Sequence, residues 1–153
     1  MSQHPTACVM GWPIAHSRSP AIHRFWLNQF NIDDDYVPVA VEPDQIANFL
    51  KEFEARGFVG GNVTVPHKEA VFDAVAEMGD AARAIGSVNT LWINSGKLLG
   101  DNTDALGFLA NLDAAVDNWD KYPRAAVVLG AGAGNESDLL VPFCVDRLIG
   151  ADL

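Results

Sequence analysis

The chain has 153 residues, of which 49% are hydrophobic and 20% are charged, so it can build one compact domain and part of a second. Its formal net charge of -10 argues against a nucleic-acid partner, which would need clustered lysine and arginine residues. No apolar run approaches the roughly 20 residues of a membrane-spanning helix and no signal peptide is visible, so we expect no membrane partner and a cytoplasmic location.

Strand and helix patterns alternate along the first 116 residues. Strands are predicted at residues 7–11, 35–41 and 59–65, and helices at 20–30, 44–56, 68–78 and near 80–85. The 44–56 helix shows apolar residues at helical spacing (Ile46, Phe49, Leu50 and Phe53), and Gly57 is its expected end. Strands at 88–93 and 97–99 flank Asn94-Ser95-Gly96, a good hairpin turn, and a helix follows at 103–116. This alternation predicts an α/β fold with a mostly parallel βαβ sheet.

The C-terminal part of the sequence resembles the start of a second domain. Residues 117–124 are polar and aromatic and contain a proline, which is typical of a linker. Residues 125–129 form an apolar strand pattern that runs into glycine-rich residues 130–134, the front of a dinucleotide fingerprint. We therefore predict a domain at 1–116, a linker at 117–124, and the first strand and glycine loop of a Rossmann-type domain within 125–153. Its backbone could contact a dinucleotide at Gly130, Gly132, Ala133 and Gly134.

The cysteines and histidines predict no metal site. Cys8 and Cys144 lie far apart, and neither they nor the four histidines show a metal-ligand spacing. Cys8 lies within an apolar run, so we expect it to be a buried free thiol.

Two strand-to-helix junctions carry polar residues that suit a small ligand. Ser17 and Ser19 follow the first strand, where hydroxyls and helix N–H groups favour an anion such as a carboxylate, although one serine could simply cap the helix. Asn62 and Thr64 lie at the third strand, although turn chemistry and β propensity would also explain them. Lys68 follows at the start of a helix, where it could transfer a proton or be an ordinary solvated lysine.

Two further polar residues lie near the later junctions. Asn89 begins a strand, where asparagine is disfavoured, and either a ligand or a loop contact would explain it. Asp104 lies in the first turn of a helix, where the helix dipole favours a carboxylate whatever its role. The functional interpretation is that Asp104 pairs with Lys68 or holds a substrate hydroxyl.

Four ordered segments resemble the shikimate dehydrogenase family, specifically its N-terminal substrate-binding domain: residues 11–20 (GWPIAHSRSP), 61–68 (GNVTVPHK), 85–90 (IGSVNT) and 100–104 (GDNTD). The resemblance implies that Ser17 and Ser19 bind the shikimate carboxylate and that Thr64, Asn89 and Asp104 hold ring hydroxyls. It also implies that Lys68 and Asp104 are the catalytic pair of an enzyme that reduces 3-dehydroshikimate to shikimate with NADPH, in aromatic amino-acid (chorismate) biosynthesis. The expected partner is this small-molecule substrate, and a homodimer is an option.

The resemblance covers residues 7 to about 134. Residues 135–153 do not match the family, so we expect a truncated chain that is a weak or inactive oxidoreductase with a nearly intact substrate domain. Two alternatives remain open from the sequence: a non-catalytic protein that keeps the shikimate site, and a dehydrogenase that acts on quinate.

Overall fold

One mixed sheet organises the part of the chain that the computed structural model describes, residues 5–119 and 121. Its six strands are β1 (Thr6–Gly11), β2 (Asp35–Ala40), β3 (Phe58–Val63), β4 (Glu77–Met78), β5 (Thr90–Asn94) and β6 (Lys97–Asp101). They lie in the order β2-β1-β3-β5-β6-β4. β1 is parallel to β2 and β3, and β4 is parallel to β6, whereas β5 is antiparallel to both of its neighbours. The predicted α/β fold with a mostly parallel sheet is confirmed.

The helices form where the sequence predicts them, with some differences in length. They are α1 (Ser19–Gln29), α2 (Ile46–Lys51), α3 (Lys68–Phe72), α4 (Asp80–Ile85) and α5 (Asp104–Ala115). α2 ends well before the predicted residue 56, yet Phe53 is buried together with Ile46, Phe49 and Leu50 because turns prolong the same apolar face. Gly57, with a φ of 87°, ends this segment in the left-handed conformation that glycine adopts without strain.

The prediction of one helix across residues 68–78 is wrong in its second half. α3 ends at Phe72, and β4 pairs in parallel with β6. The N–H of Ala76 donates to the carbonyl of Leu98, and the N–H of Gly79 donates to the carbonyl of Gly100. Strand pairing with β6, which lies some twenty residues later in the chain, overrides the local helical spacing.

The core lies on both faces of the sheet but mainly on one. Because successive side chains of a strand point to opposite faces, Cys8 and Met10 of β1 pack with α2 and α3, whereas Val9 packs on the α1 side with Tyr36 and Leu27. Cys8 is fully buried and free, as predicted, and burial raises its pKa from 9.0 to about 12.

The predicted hairpin turn is confirmed between β5 and β6. Asn94 pairs with Lys97, and the two residues between them, Ser95 and Gly96, have φ values of 52° and 73°. Both central residues of this two-residue turn are therefore left-handed, as a tight hairpin requires.

Most of the predicted linker and the glycine loop, including Gly130, Gly132, Ala133 and Gly134, lie outside the described residues, as does Cys144. Over the described part of the chain, no helix is long and apolar enough to cross a membrane. No group of His, Cys, Asp or Glu side chains within the same residues could hold a metal ion.

Candidate functional site

The polar junctions predicted from the sequence lie at one edge of the sheet. β1, β3 and β6 run in the same direction, so their carboxyl ends, Gly11, Val63 and Asp101, share an edge. β5 runs in the opposite direction, and its first residue, Thr90, pairs with both Asn62 and Asp101. Asn89 and the segments that carry the other predicted residues therefore leave or enter the sheet at this edge, where α/β proteins bind ligands.

Lys68 and Asp104 form an ion pair at this edge. The ammonium Nζ donates to Oδ2 of Asp104 at 2.6 Å, and the two side chains are 15% and 35% exposed. Each residue is the first of its helix, α3 or α5. The dipole of α3 disfavours a lysine there, and the carboxylate of Asp104 offsets this unfavourable charge. The pair is ordered by the protein and still accessible to a ligand.

Asn89 holds the loop that leads to Asp104. Its side chain is nearly buried, and its Oδ1 accepts from the N–H of Thr103 at 3.0 Å and from the hydroxyl of Thr90 at 2.8 Å. Its Nδ2 donates to the hydroxyl oxygen of Thr103 at 3.1 Å. The loop contact considered from the sequence is therefore present, and a contact with substrate remains a prediction.

Asn102 is a second asparagine in this loop, and the sequence analysis assigned it no role. It is 1% exposed, and its Nδ2 donates to the carbonyl oxygen and the hydroxyl of Ser87 at 3.1 and 2.9 Å. Its Oδ1 accepts from the N–H of Asp104 at 3.0 Å. An asparagine just before a helix commonly accepts from the first turn, and that preference could have identified Asn102.

Asn62 joins β3 to β5 and to β2. Its Oδ1 accepts from the hydroxyl of Tyr36 at 2.6 Å, and its Nδ2 lies 3.4 Å from both the carbonyl oxygen of Asn89 and the hydroxyl of Thr90. Tyr36 is 4% exposed, and burial raises its pKa, so the phenol stays protonated and can donate. No pattern in the sequence predicted this contact.

Ser17, Ser19 and Thr64 lie on segments that leave the same edge. The hydroxyl of Ser17 accepts from the N–H of Ser19 at 3.3 Å, but the N-cap residue of α1 is Arg18 and no side chain caps the helix there. The N–H of Thr64 donates to the carbonyl of Met10 at 2.9 Å and so extends the β1–β3 ladder. The N–H of Ser17 donates to the carbonyl of Ile14 at 3.0 Å, and in the described part of the chain no hydrogen bond joins either serine to Lys68 or Asp104.

His67, next to Lys68, has a structural role. It is 1% exposed, and its Nε2–H donates to the carbonyl of Val41 at 2.8 Å, because a carbonyl can only accept. This bond ties the start of α3 to the chain that follows β2 and so helps to fix the position of Lys68.

The family model described as the shikimate dehydrogenase substrate binding domain matches residues 9–91. The shikimate dehydrogenase (NADP(+)) of Methylocella silvestris is 52% identical over 143 residues, which are 94% of this chain and 50% of that protein.

Among solved structures, shikimate dehydrogenase from Aquifex aeolicus matches with a TM-score of 0.85 and 30% identity over 96% of this chain and 54% of that one. Shikimate 5-dehydrogenase from Thermus thermophilus, in complex with shikimate, matches with a TM-score of 0.75 and 34% identity over 97% of this chain and 54% of that one. The chain spans about half the length of the curated relatives it matches. It belongs to the shikimate dehydrogenase family, and its residues 9–91 match the substrate-binding domain of that family.

Proposed function

We propose that this chain binds shikimate and 3-dehydroshikimate at the carboxyl edge of its sheet, as the substrate-binding part of an NADP-dependent shikimate dehydrogenase. The observation that carries the proposal is the Lys68–Asp104 pair, with 2.6 Å between Nζ and Oδ2 and both side chains partly exposed. The names of the relatives and the shikimate complex of the Thermus thermophilus protein support the same substrate.

Lys68 would supply the proton of the reaction. Reduction of a ketone adds a hydride to the carbonyl carbon and a proton to the carbonyl oxygen, and NADPH supplies the hydride when it is bound. The ammonium of Lys68 donates its proton to the oxygen as negative charge develops there, a type of catalysis worth about 10²–10⁴-fold. The carboxylate of Asp104 accepts a short, charge-assisted hydrogen bond from the ammonium and so sets its direction.

The remaining predicted residues would bind the rest of the substrate. Ser17 and Ser19 would hold the carboxylate, Thr64 and Asn89 would hold ring hydroxyls together with Asp104, and Asn62 would also contact the substrate. The pairing of β1 with β3 supports this arrangement. Asn62 lies beside Val9 in the sheet, so its side chain points to the same face as that of Val9, which packs on the α1 side. α1, which begins with Ser19 two residues after Ser17, packs on that same side.

The glycine-rich residues 130–134 would contribute to binding of the cofactor. Gly130, Gly132, Ala133 and Gly134 would contact the pyrophosphate of NADP through backbone N–H groups. They belong to the proposed Rossmann-type segment at 125–153, after the linker at 117–124 and the substrate-binding domain at 1–116.

Calorimetric titration of the purified chain with shikimate tests the proposal. We expect measurable binding by the unmodified chain, and a lower affinity for Lys68→Met, which removes the ammonium at the site. Lys97→Met is a matched control, because Lys97 also forms an ion pair, with Glu77 at 2.8 Å, but lies at the start of β6, at the opposite edge of the sheet. Absence of shikimate binding by the unmodified chain would overturn the proposal, and a parallel titration with quinate tests the quinate alternative.

We also propose that two copies of the chain associate through an aromatic patch. The patch is formed by exposed residues of α1, the segment after it and β3: Ile22, Phe25, Trp26, Phe30, Ile32 and Val59. An apolar cavity of about 280 Å³ opens within it, and exposed patches of this kind mark interaction sites.

Charge favours a second copy as the partner. α1 contains no acidic residue, although the chain as a whole carries a net charge of -10. An antiparallel crossing of two α1 helices would place the Arg18 end of one copy beside the Asp34 end of the other. Sedimentation should detect a dimer that Phe25→Lys disrupts and that Leu106→Lys, at an exposed site on α5, leaves intact. Monomeric sedimentation of the unmodified chain at all concentrations would rule this out.

A further inference from the structure

We propose that Tyr36 is a positioning residue that fixes the side-chain amide of Asn62 so that its N–H groups face the bound substrate. This inference rests on the proposed function, because it assigns Asn62 to substrate binding. Tyr36 lies in β2 and is separated from Asn62 by β1: it pairs with Ala7, whereas Asn62 pairs with Val9. Its phenol reaches across β1, and the oxygen lies 2.6 Å from Oδ1 of Asn62.

The hydrogen-bond network determines which way the amide of Asn62 points. The carbonyl oxygen of Asn89 can only accept, and the hydroxyl of Thr90 already donates to Oδ1 of Asn89 at 2.8 Å, so its oxygen also has to accept. Both groups therefore require the NH₂ side of Asn62. Oδ1 is left for Tyr36, and the phenol has to be the donor.

The ring of Tyr36 is itself held in place from α1. His23 stacks on it with 4.0 Å between ring centroids and an interplanar angle of 7°. The Nδ1–H of His23 donates to the carbonyl of Ser19 at 2.9 Å, which fixes the imidazole against the start of α1. The phenol is thereby linked through His23 to Ser19, one of the two serines proposed to bind the substrate carboxylate.

The unequal lengths of the hydrogen bonds of Asn62 indicate how the residue would be used. Oδ1 has a short bond to Tyr36, whereas both contacts of Nδ2, at 3.4 Å, are longer than the usual 2.9–3.0 Å. The N–H groups can therefore exchange these long contacts for a shorter bond to a ligand oxygen without losing the bond to Tyr36. The amide offers donors only, which suits a hydroxyl or carbonyl oxygen of the substrate that accepts.

A double-mutant cycle on shikimate affinity tests the inference. Tyr36→Phe keeps the ring and its stacking but removes the donor, and we expect shikimate to bind about 5- to 10-fold more weakly, the equivalent of one lost hydrogen bond. Asn62→Ala should weaken binding at least as much. In the Asn62→Ala background, Tyr36→Phe should change the affinity less than about 2-fold, because the group through which it acts is gone. Trp119→Phe, which removes a donor to Asp113 on the exposed surface, is the control and should bind like the unmodified chain.

The possible outcomes separate this inference from the proposed function. If the unmodified chain does not bind shikimate, the proposed function fails and this inference fails with it. If Asn62→Ala weakens binding but Tyr36→Phe does not, the role of Tyr36 is wrong and the proposed function stands. Equal weakening by Tyr36→Phe in both backgrounds would mean that the hydroxyl of Tyr36 acts independently of Asn62, which also overturns the inference.

A second measurement does not depend on whether Tyr36→Phe folds. In the unmodified chain, the two side-chain amide protons of Asn62 should give separate NMR signals, and both should shift when shikimate is added. Amide signals that do not move at saturating shikimate would overturn the inference.

Discussion

Replacing Asn102 should destabilise the protein, because its buried side chain holds the loop that leads into α5. In Asn102→Ala, the carbonyl of Ser87 and the N–H of Asp104 lose their partner at a position that is 1% exposed. Each of these two groups left unpaired costs about 1–3 kcal/mol, so we expect a loss of about 2–6 kcal/mol in the free energy of unfolding. This is a large share of the roughly 5–15 kcal/mol that stabilise a typical domain.

Urea denaturation followed by tryptophan fluorescence measures this loss. Ser87→Ala removes only the contact between the Ser87 hydroxyl and Nδ2, at 2.9 Å, and should cost about 1 kcal/mol. Asn94→Ala, at the exposed end of β5, is the control and should change the stability by no more than about 0.5 kcal/mol. An Asn102→Ala protein as stable as this control would refute the idea that the buried amide holds the start of α5.

The other predictions concern the packing of β1 against β3, the buried thiol of Cys8 and shikimate binding. Gly61→Ala should lower the unfolding midpoint in urea, because a Cβ there would lie 2.5 Å from the carbonyl oxygen of Cys8, whereas Gly107→Ala in open space on α5 should be neutral or slightly stabilising. Because burial raises the pKa of Cys8 from 9.0 to about 12, the folded chain keeps the thiol proton that the unfolded chain loses, so stability should fall as the pH rises from 9.0 towards 12. The full shift corresponds to about 4 kcal/mol, and Cys8→Ala should flatten this part of the pH profile of unfolding. Calorimetry should detect shikimate binding by the chain, and its absence would contradict the proposed substrate.

The predictions for Gly61→Ala and Cys8→Ala can each be contradicted by a specific result. Equal midpoints for Gly61→Ala and Gly107→Ala would mean that β1 and β3 can separate locally at no cost. An alkaline loss of stability that is the same with and without Cys8 would assign it to other groups, such as Tyr36, whose pKa burial also raises.

Local chemistry explains the parts of the fold that could be predicted. The apolar spacing of Ile46, Phe49, Leu50 and Phe53 identified the buried face of α2, although the helix is shorter than expected. The hairpin turn at Ser95-Gly96 was predictable from the turn-forming segment Asn94-Ser95-Gly96. The turn needs two adjacent left-handed residues, and Ser95 and Gly96 adopt that conformation. The β4 strand was missed because two residues carry no periodicity, and only their pairing with β6 makes them a strand.

The sequence by itself determined the order of strands and helices except for β4, together with the family and the residue types at each junction, because periodicity, turn chemistry and short motifs are local properties. Only the tertiary structure decided which of these residues touch. Lys68 meets Asp104 across 36 positions of sequence, and Tyr36 meets Asn62 across 26. These contacts depend on strand order and register, which bring the strand ends to a single edge of the sheet, and no spacing within the chain encodes that arrangement.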